Sequence, residues 1–133
     1  MRASLLGRFA STRAMVTYER AAEDTLQSLF DAFDTKIVGR VPSYDSVDAT
    51  LSSGVLTLKC GTSNTIVINK QPPNLQLWFS SPISGPRRFN WNPSDPIRGW
   101  RCHRDSSVCL FALLESDLSR LFKEPIKLYG ASS

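Results

Sequence analysis

Two constellations of side chains in this sequence have the types and spacing to do chemistry. The first is a run of carboxylates, Glu19, Glu23, Asp24, Asp31, Asp34, Asp45 and Asp48, accompanied only by Arg20, Lys36 and Arg40, so that residues 19–48 carry a formal charge of −4. Carboxylate oxygens are the ligands of hard and borderline cations, and an exposed line of them makes low-affinity sites. The plainer alternative is a solvated helix face. The second constellation is Trp78, with Asn69, Gln71 and Gln76 close in sequence and Arg88 in the following segment. Tryptophan and arginine anchor most of the affinity in protein interfaces, so an indole among amides and a guanidinium has the composition of a binding surface. The plainer alternative here is an indole packed inward as core.

Other chemistries are excluded or disfavoured. His103 is the single histidine, which rules out an iron oxygenase site of two histidines and one carboxylate made within this chain. It is read as structural or exposed, at most an auxiliary ligand. Cys60, Cys102 and Cys109 are three, widely spaced and without a C-x-x-C pair, so a disulfide framework or zinc site is not expected and reduced, buried thiols are. There is no G-x-S-x-G, phosphate loop or cysteine–histidine pairing. A true active site is not expected.

The elements that position these residues follow from periodicity. From Thr17 to about Thr35, Tyr18, Ala22, Leu26, Leu29 and Phe33 form one apolar helical stripe. Thr17 is the expected N-cap, and Glu19, Glu23, Gln27, Asp31 and Asp34 share an adjacent face. The pattern then becomes twofold: Val47–Leu51, Val55–Cys60, Thr65–Asn69, Gln76–Ser80, Arg87–Trp91 and Trp100–His103 read as strands, separated by Ser, Gly, Asn and Pro turn signals. Connections this short make the sheet antiparallel. Leu110, Phe111, Leu114, Leu118 and Leu121 predict a closing helix over about 108–122, stopped by Pro125. Two helices with one apolar stripe each must bury both on one sheet face, which predicts an α+β fold: a two-layer α/β sandwich with a twisted antiparallel sheet of five to seven strands.

The whole chain of 133 residues is enough for one domain, expected over 16–128 with a tail at 129–133. Its net charge of +4 is unevenly spread, with +3 in residues 1–18 and +5 in residues 49–133 on either side of the acidic stretch. That asymmetry, and the lack of interleaved aromatic and basic residues, argue against a nucleic-acid partner. No apolar run is long enough to span a bilayer. Residues 1–15 carry Arg2, Arg8 and Arg13, several serines and threonines and no acid, the composition of an organellar transit peptide, with cleavage expected near residues 10–17. The mitochondrial matrix, or a related organelle, is the expected destination.

The stretch Gly54-Val55-Leu56-Thr57-Leu58, then Ile66-Val67-Ile68-Asn69-Lys70-Gln71-Pro72-Pro73-Asn74, then Gln76-Leu77-Trp78-Phe79-Ser80 through Gly85-Pro86-Arg87-Arg88-Phe89-Asn90-Trp91 closely resembles the signature of frataxins. The resemblance reaches outward to Thr17-Tyr18-Glu19-Arg20 and to Leu113-Leu114. It implies two helices against an antiparallel sheet, and a role in mitochondrial iron–sulfur cluster assembly. The implied partners are a cysteine desulfurase and its scaffold protein, contacted through Asn69, Lys70, Gln71, Gln76, Trp78 and Arg88, with sulfur transfer promoted. Bacterial members are described as slowing their desulfurase, which leaves the sign a family-level expectation. It further implies weak, surface-bound Fe(II) or Fe(III) on Glu19, Glu23, Asp24, Asp31, Asp34, Asp45 and Asp48, with ferroxidase activity, if any, a property of that bound iron. An iron store or ferroxidase acting through the acidic ridge is the alternative function. The chain is expected to be a monomer, with iron-dependent oligomers the other state. It departs from many frataxins in Gln27, Thr35 and Ser46, where acids are common, and in the longer, Pro-rich 92–98 loop.

Overall fold

A computed structural model describes residues 5–39, 46–95 and 99–129, with side chains from residue 13 onward. The chain order is helix α1 (Leu5–Lys36), strands β1 (Val47–Ser52), β2 (Val55–Cys60) and β3 (Thr65–Gln71), a 3-10 turn at Pro72–Asn74, strands β4 (Gln76–Ser81), β5 (Gly85–Trp91) and β6 (Trp100–Cys102), and helix α2 (Leu110–Phe122). The six strands form one antiparallel meander in the order β1-β2-β3-β4-β5-β6. Both helices pack on one face of it, as the two apolar stripes require. No helix among the described residues is long and apolar enough to cross a membrane.

The core lies between the layers. Along each strand, burial alternates with the pleat: Leu56 and Leu58, Ile66 and Ile68, Leu77 and Phe79, and Phe89 are inward and buried. They meet Tyr18, Ala22, Leu26, Leu29 and Phe33 of α1 and Leu110, Leu114, Leu118 and Phe122 of α2. The three cysteines are free and buried, and burial pushes the Cys60 thiol up to about 12. The segment after α2 continues the core: Ile126 and Leu128 are buried, Glu115 accepts hydrogen bonds from the backbone of Leu128 and Tyr129 (2.7 and 3.1 Å), and Lys36 donates to the Leu128 carbonyl (2.6 Å). Ordered packing therefore reaches Tyr129, whose ring lies 5.0 Å from that of Phe111.

Two boundaries differ from the periodicity reading. Helix α1 already includes Leu5, so Thr17 sits within it and does not cap it. Leu5, Leu6, Ala10, Arg13, Ala14 and Met15 are good helix formers and no proline interrupts the run, so nothing stops the helix at the start of the apolar stripe. Strand β5 begins at Gly85 and includes Pro86 opposite Ser80, because a proline is tolerated near the start of a strand.

Two connections shape the sheet at its ends. Ser53 and Gly54 both have positive φ (51° and 76°), as a two-residue hairpin between β1 and β2 demands. Gly99, just before β6, is so closely enclosed that a Cβ would lie 2.5 Å from the Asp95 carbonyl oxygen and 2.6 Å from Trp91. That approach lets Trp91 and Trp100 pack with ring centroids 5.1 Å apart, while the Trp100 indole donates to Thr25 of α1 (2.8 Å).

Candidate interaction surface

The face of the sheet turned away from the helices is built of cross-strand rungs, and these rungs gather the candidate side chains. In one rung, Val55, Asn69, Trp78 and Arg88 lie side by side on β2, β3, β4 and β5. In the next, Gln71, Gln76, Asn90 and Arg101 do the same on β3, β4, β5 and β6. Antiparallel register alone thus brings Asn69, Gln71, Gln76, Trp78 and Arg88 together. Trp78 is half-buried on this outer face, and Val55 beside Asn69 is 38% exposed, which is unusual for an apolar residue in this molecule.

The indole is held from two directions. The Arg88 guanidinium carbon sits 4.8 Å from its ring centroid, a cation–π arrangement that fixes both side chains. Its Nε1–H donates to Gln76 Oε1 (2.8 Å), Gln76 Nε2 donates to Asn90 Oδ1 (2.9 Å), and Asn90 Nδ2 lies 3.0 Å from His103 Nδ1. Beneath the edge of this surface, the Tyr18 hydroxyl of α1 donates to the Gln76 carbonyl (2.7 Å) and accepts from the Gln71 N–H (2.9 Å). The β3–β4 connection that carries both glutamines is therefore fastened to the helix layer. Burial is the main cause of the upward shift of the Tyr18 hydroxyl.

Lys70 does not join this face. The pleat turns it to the helix side, where its ammonium contacts Glu19 (2.6 Å) and Glu23 (3.7 Å), and the hydrogen bond to Glu19 is the first cause of its raised pKa. The sequence reading does not single out Asn90 or treat His103 as a surface residue of this face. Asn90 is legible, since it follows Arg88 by two positions on one strand; His103 lies just past β6 and carries no such signal.

The carboxylates are less convergent. Glu23, Asp24, Asp31 and Asp34 are exposed on α1, Glu19 is engaged by Lys70, and Asp31 accepts a hydrogen bond from Gln27 (3.1 Å). Asp48 is on the outer sheet face opposite Lys59, and Asp45 lies outside the described residues. Among the described residues no three acidic, histidine or cysteine side chains come together as a metal site. As oxygen donors they suit iron chemically; their spacing suits only one or two protein ligands per ion.

Comparison with known proteins settles the family. Residues 11–124 match the model of the frataxin-like domain. The chain belongs to the frataxin family. It is 39% identical over 110 residues to a mitochondrial frataxin homologue of Schizosaccharomyces pombe, covering 83% of this chain and 66% of that protein. It is 38% identical over 111 residues to mitochondrial frataxin of Arabidopsis thaliana, covering 84% of this chain and 57% of that protein. The chain thus spans somewhat less than two thirds of the length of these frataxins. Among solved structures, a frataxin from Psychromonas ingrahamii superposes with a TM-score of 0.68 over 87% of this chain and 98% of that one, at 16% identity, which speaks for the fold alone. Trimeric frataxin from Saccharomyces cerevisiae, complexed with ferrous iron, gives a TM-score of 0.62 at 33% identity over 78% of this chain and 87% of that one. The frataxin fold expected from the motif is the fold observed, and with its relatives this frataxin is mitochondrial.

Proposed function

We propose that this frataxin acts as an interaction protein of iron–sulfur cluster assembly, docking its outer sheet face on a cysteine desulfurase and scaffold complex and promoting sulfur transfer. The observation that supports this most is Trp78, held by Arg88 and Gln76 on the solvent side of the sheet, outside the buried core. A pre-positioned indole loses little side-chain freedom on binding, and such residues anchor interfaces. The test is a reconstituted desulfurase and scaffold assay with the wild type and Trp78→Ala. Loss of the effect by a variant with an unchanged thermal midpoint is expected; an unchanged effect would refute the reading.

A second role, weak iron binding on α1, draws support from the ferrous complex of the yeast relative and from the exposed carboxylates Asp24, Asp31 and Asp34. With one or two carboxylates per ion, binding is expected to be weak and surface-held. In an iron titration followed by NMR, the double variant Asp31→Asn and Asp34→Asn should lose its iron-dependent shifts while keeping the desulfurase effect. Loss of both together would merge the two roles.

A further inference from the structure

Beside Trp78, at the end of β5 that β6 does not cover, the outer face has a concavity lined by Trp78, Ser80, Arg88, His103 and Arg104, with Val67 and Pro86 contributing apolar wall. Among the described residues, β6 meets β5 along Phe89–Trp91, and the His103 N–H still reaches the Arg88 carbonyl (2.7 Å) before the chain turns away. The early part of β5 is thereby left uncovered, with Arg88 on the outer face beside Trp78 and Arg87 turned to the other side, where it donates to the Ser84 carbonyl.

The polarity of the hydrogen-bond chain determines what this concavity offers. An indole N–H can only donate, so the Gln76 oxygen must face Trp78 and its nitrogen must donate to the Asn90 oxygen. The Asn90 nitrogen is left to donate to His103 Nδ1, which must then be the bare nitrogen, with the proton on Nε2. His103 accordingly presents an N–H as its free polar group. The charged groups of the concavity are the guanidiniums of Arg88 and Arg104, beside the neutral Asn69 amide and Ser80 hydroxyl. Among the described residues neither Arg88 nor Arg104 has an ion-pair partner. Asp105 acts on Arg87 from the following loop, and its carboxylate is already engaged by the Ser107 N–H and hydroxyl (3.0 and 2.6 Å).

We propose that this concavity is a binding site for a carboxylate or phosphate group, held by Arg88, Arg104 and the Nε2–H of His103. Guanidinium and imidazole donors lining one partly walled concavity suit such anions chemically, and Arg88 is already oriented by its stacking on Trp78. The anion comes either free in solution or as an acidic side chain of a docked protein. The site stands on the geometry of this chain by itself, so the test needs no partner and is separable from the desulfurase reading.

The experiment is an NMR titration of the purified full chain at constant ionic strength, reading the Trp78 indole N–H and the His103 ring signals. The probes are inorganic phosphate, citrate and a short glutamate-rich peptide. Saturation by phosphate or citrate supports the site and assigns a free anion; saturation by the peptide alone supports it and assigns a protein carboxylate. In either case Arg104→Gln should weaken binding about fivefold, the scale of one exposed charge-assisted contact. Asn90→Asp, which puts a carboxylate at the rim, should abolish it, and Lys59→Gln, on the outer face of β2, should leave it unchanged. Drift without saturation for all three probes, or equal weakening by Lys59→Gln, would overturn the proposal.

Discussion

At the residue scale, the binding surface depends on a side chain that is not on it. Tyr18 is 2% exposed on α1, yet its hydroxyl satisfies both the Gln71 N–H and the Gln76 carbonyl at the β3–β4 connection. Removing that oxygen leaves two backbone groups without their partner, at a cost of about 1–3 kcal/mol. Tyr18→Phe should therefore lower stability in urea unfolding by that amount and broaden the Gln71 and Gln76 amide signals. An unchanged midpoint would mean that water replaces the hydroxyl without loss. The apolar character of Tyr18 was legible from the helical stripe; the work of its hydroxyl was not, because its partners are 53 and 58 residues away in sequence. Asn69 and Gln71, by contrast, share the outer face by the twofold period alone, and the same period puts Lys70 on the opposite face.

At the element scale, α1 is tied to the sheet by Lys70. Its ammonium bridges Glu19 and Glu23, and its stem passes Gly54, where an added Cβ would come within 2.9 Å of it. The acidic helix thus commits two of its carboxylates to the sheet, which leaves Asp24, Asp31 and Asp34 for other contacts. Lys70 has a raised pKa in the folded protein, so its contribution is fully present below the unfolded lysine value of about 10.4 and is lost as pH rises through the folded value. Cys60 and Tyr129, which burial pushes up to about 12, also lose stability at alkaline pH, but they are common to wild type and variant. The stability difference between wild type and Lys70→Met, measured by denaturant unfolding, should be present at neutral pH and shrink in the strongly alkaline range. A difference independent of pH would assign Lys70 a packing role only. The elements themselves were legible because their periods are strong. The start of α1 was not, since Thr17 resembles a cap but is preceded by residues that continue a helix equally well.

At the scale of the whole molecule, the two layers divide the chemistry. The helix layer turns exposed carboxylates outward, and the free sheet face turns arginines and Trp78 outward, so the charge asymmetry of the sequence becomes an asymmetry of surfaces. The C-terminal segment closes the helix layer, with Leu128 1% exposed and its carbonyl bound by Lys36. Single-faced burial was legible from the one-stripe helices. The gathering of the site was legible only in part, because cross-strand register decides which polar residues become neighbours, and the chain of hydrogen bonds from Trp78 to His103 passes between strands.

If the outer sheet face, anchored by Trp78, is where the assembly machinery binds, the direct measurement is NMR mapping of the labelled protein on addition of unlabelled desulfurase and scaffold complex. Broadening of the Trp78 indole and of the Asn69, Gln71 and Arg88 amides, absent with Trp78→Ala, is the predicted result. Broadening that leaves these signals untouched and is confined to the exposed face of α1 would contradict it.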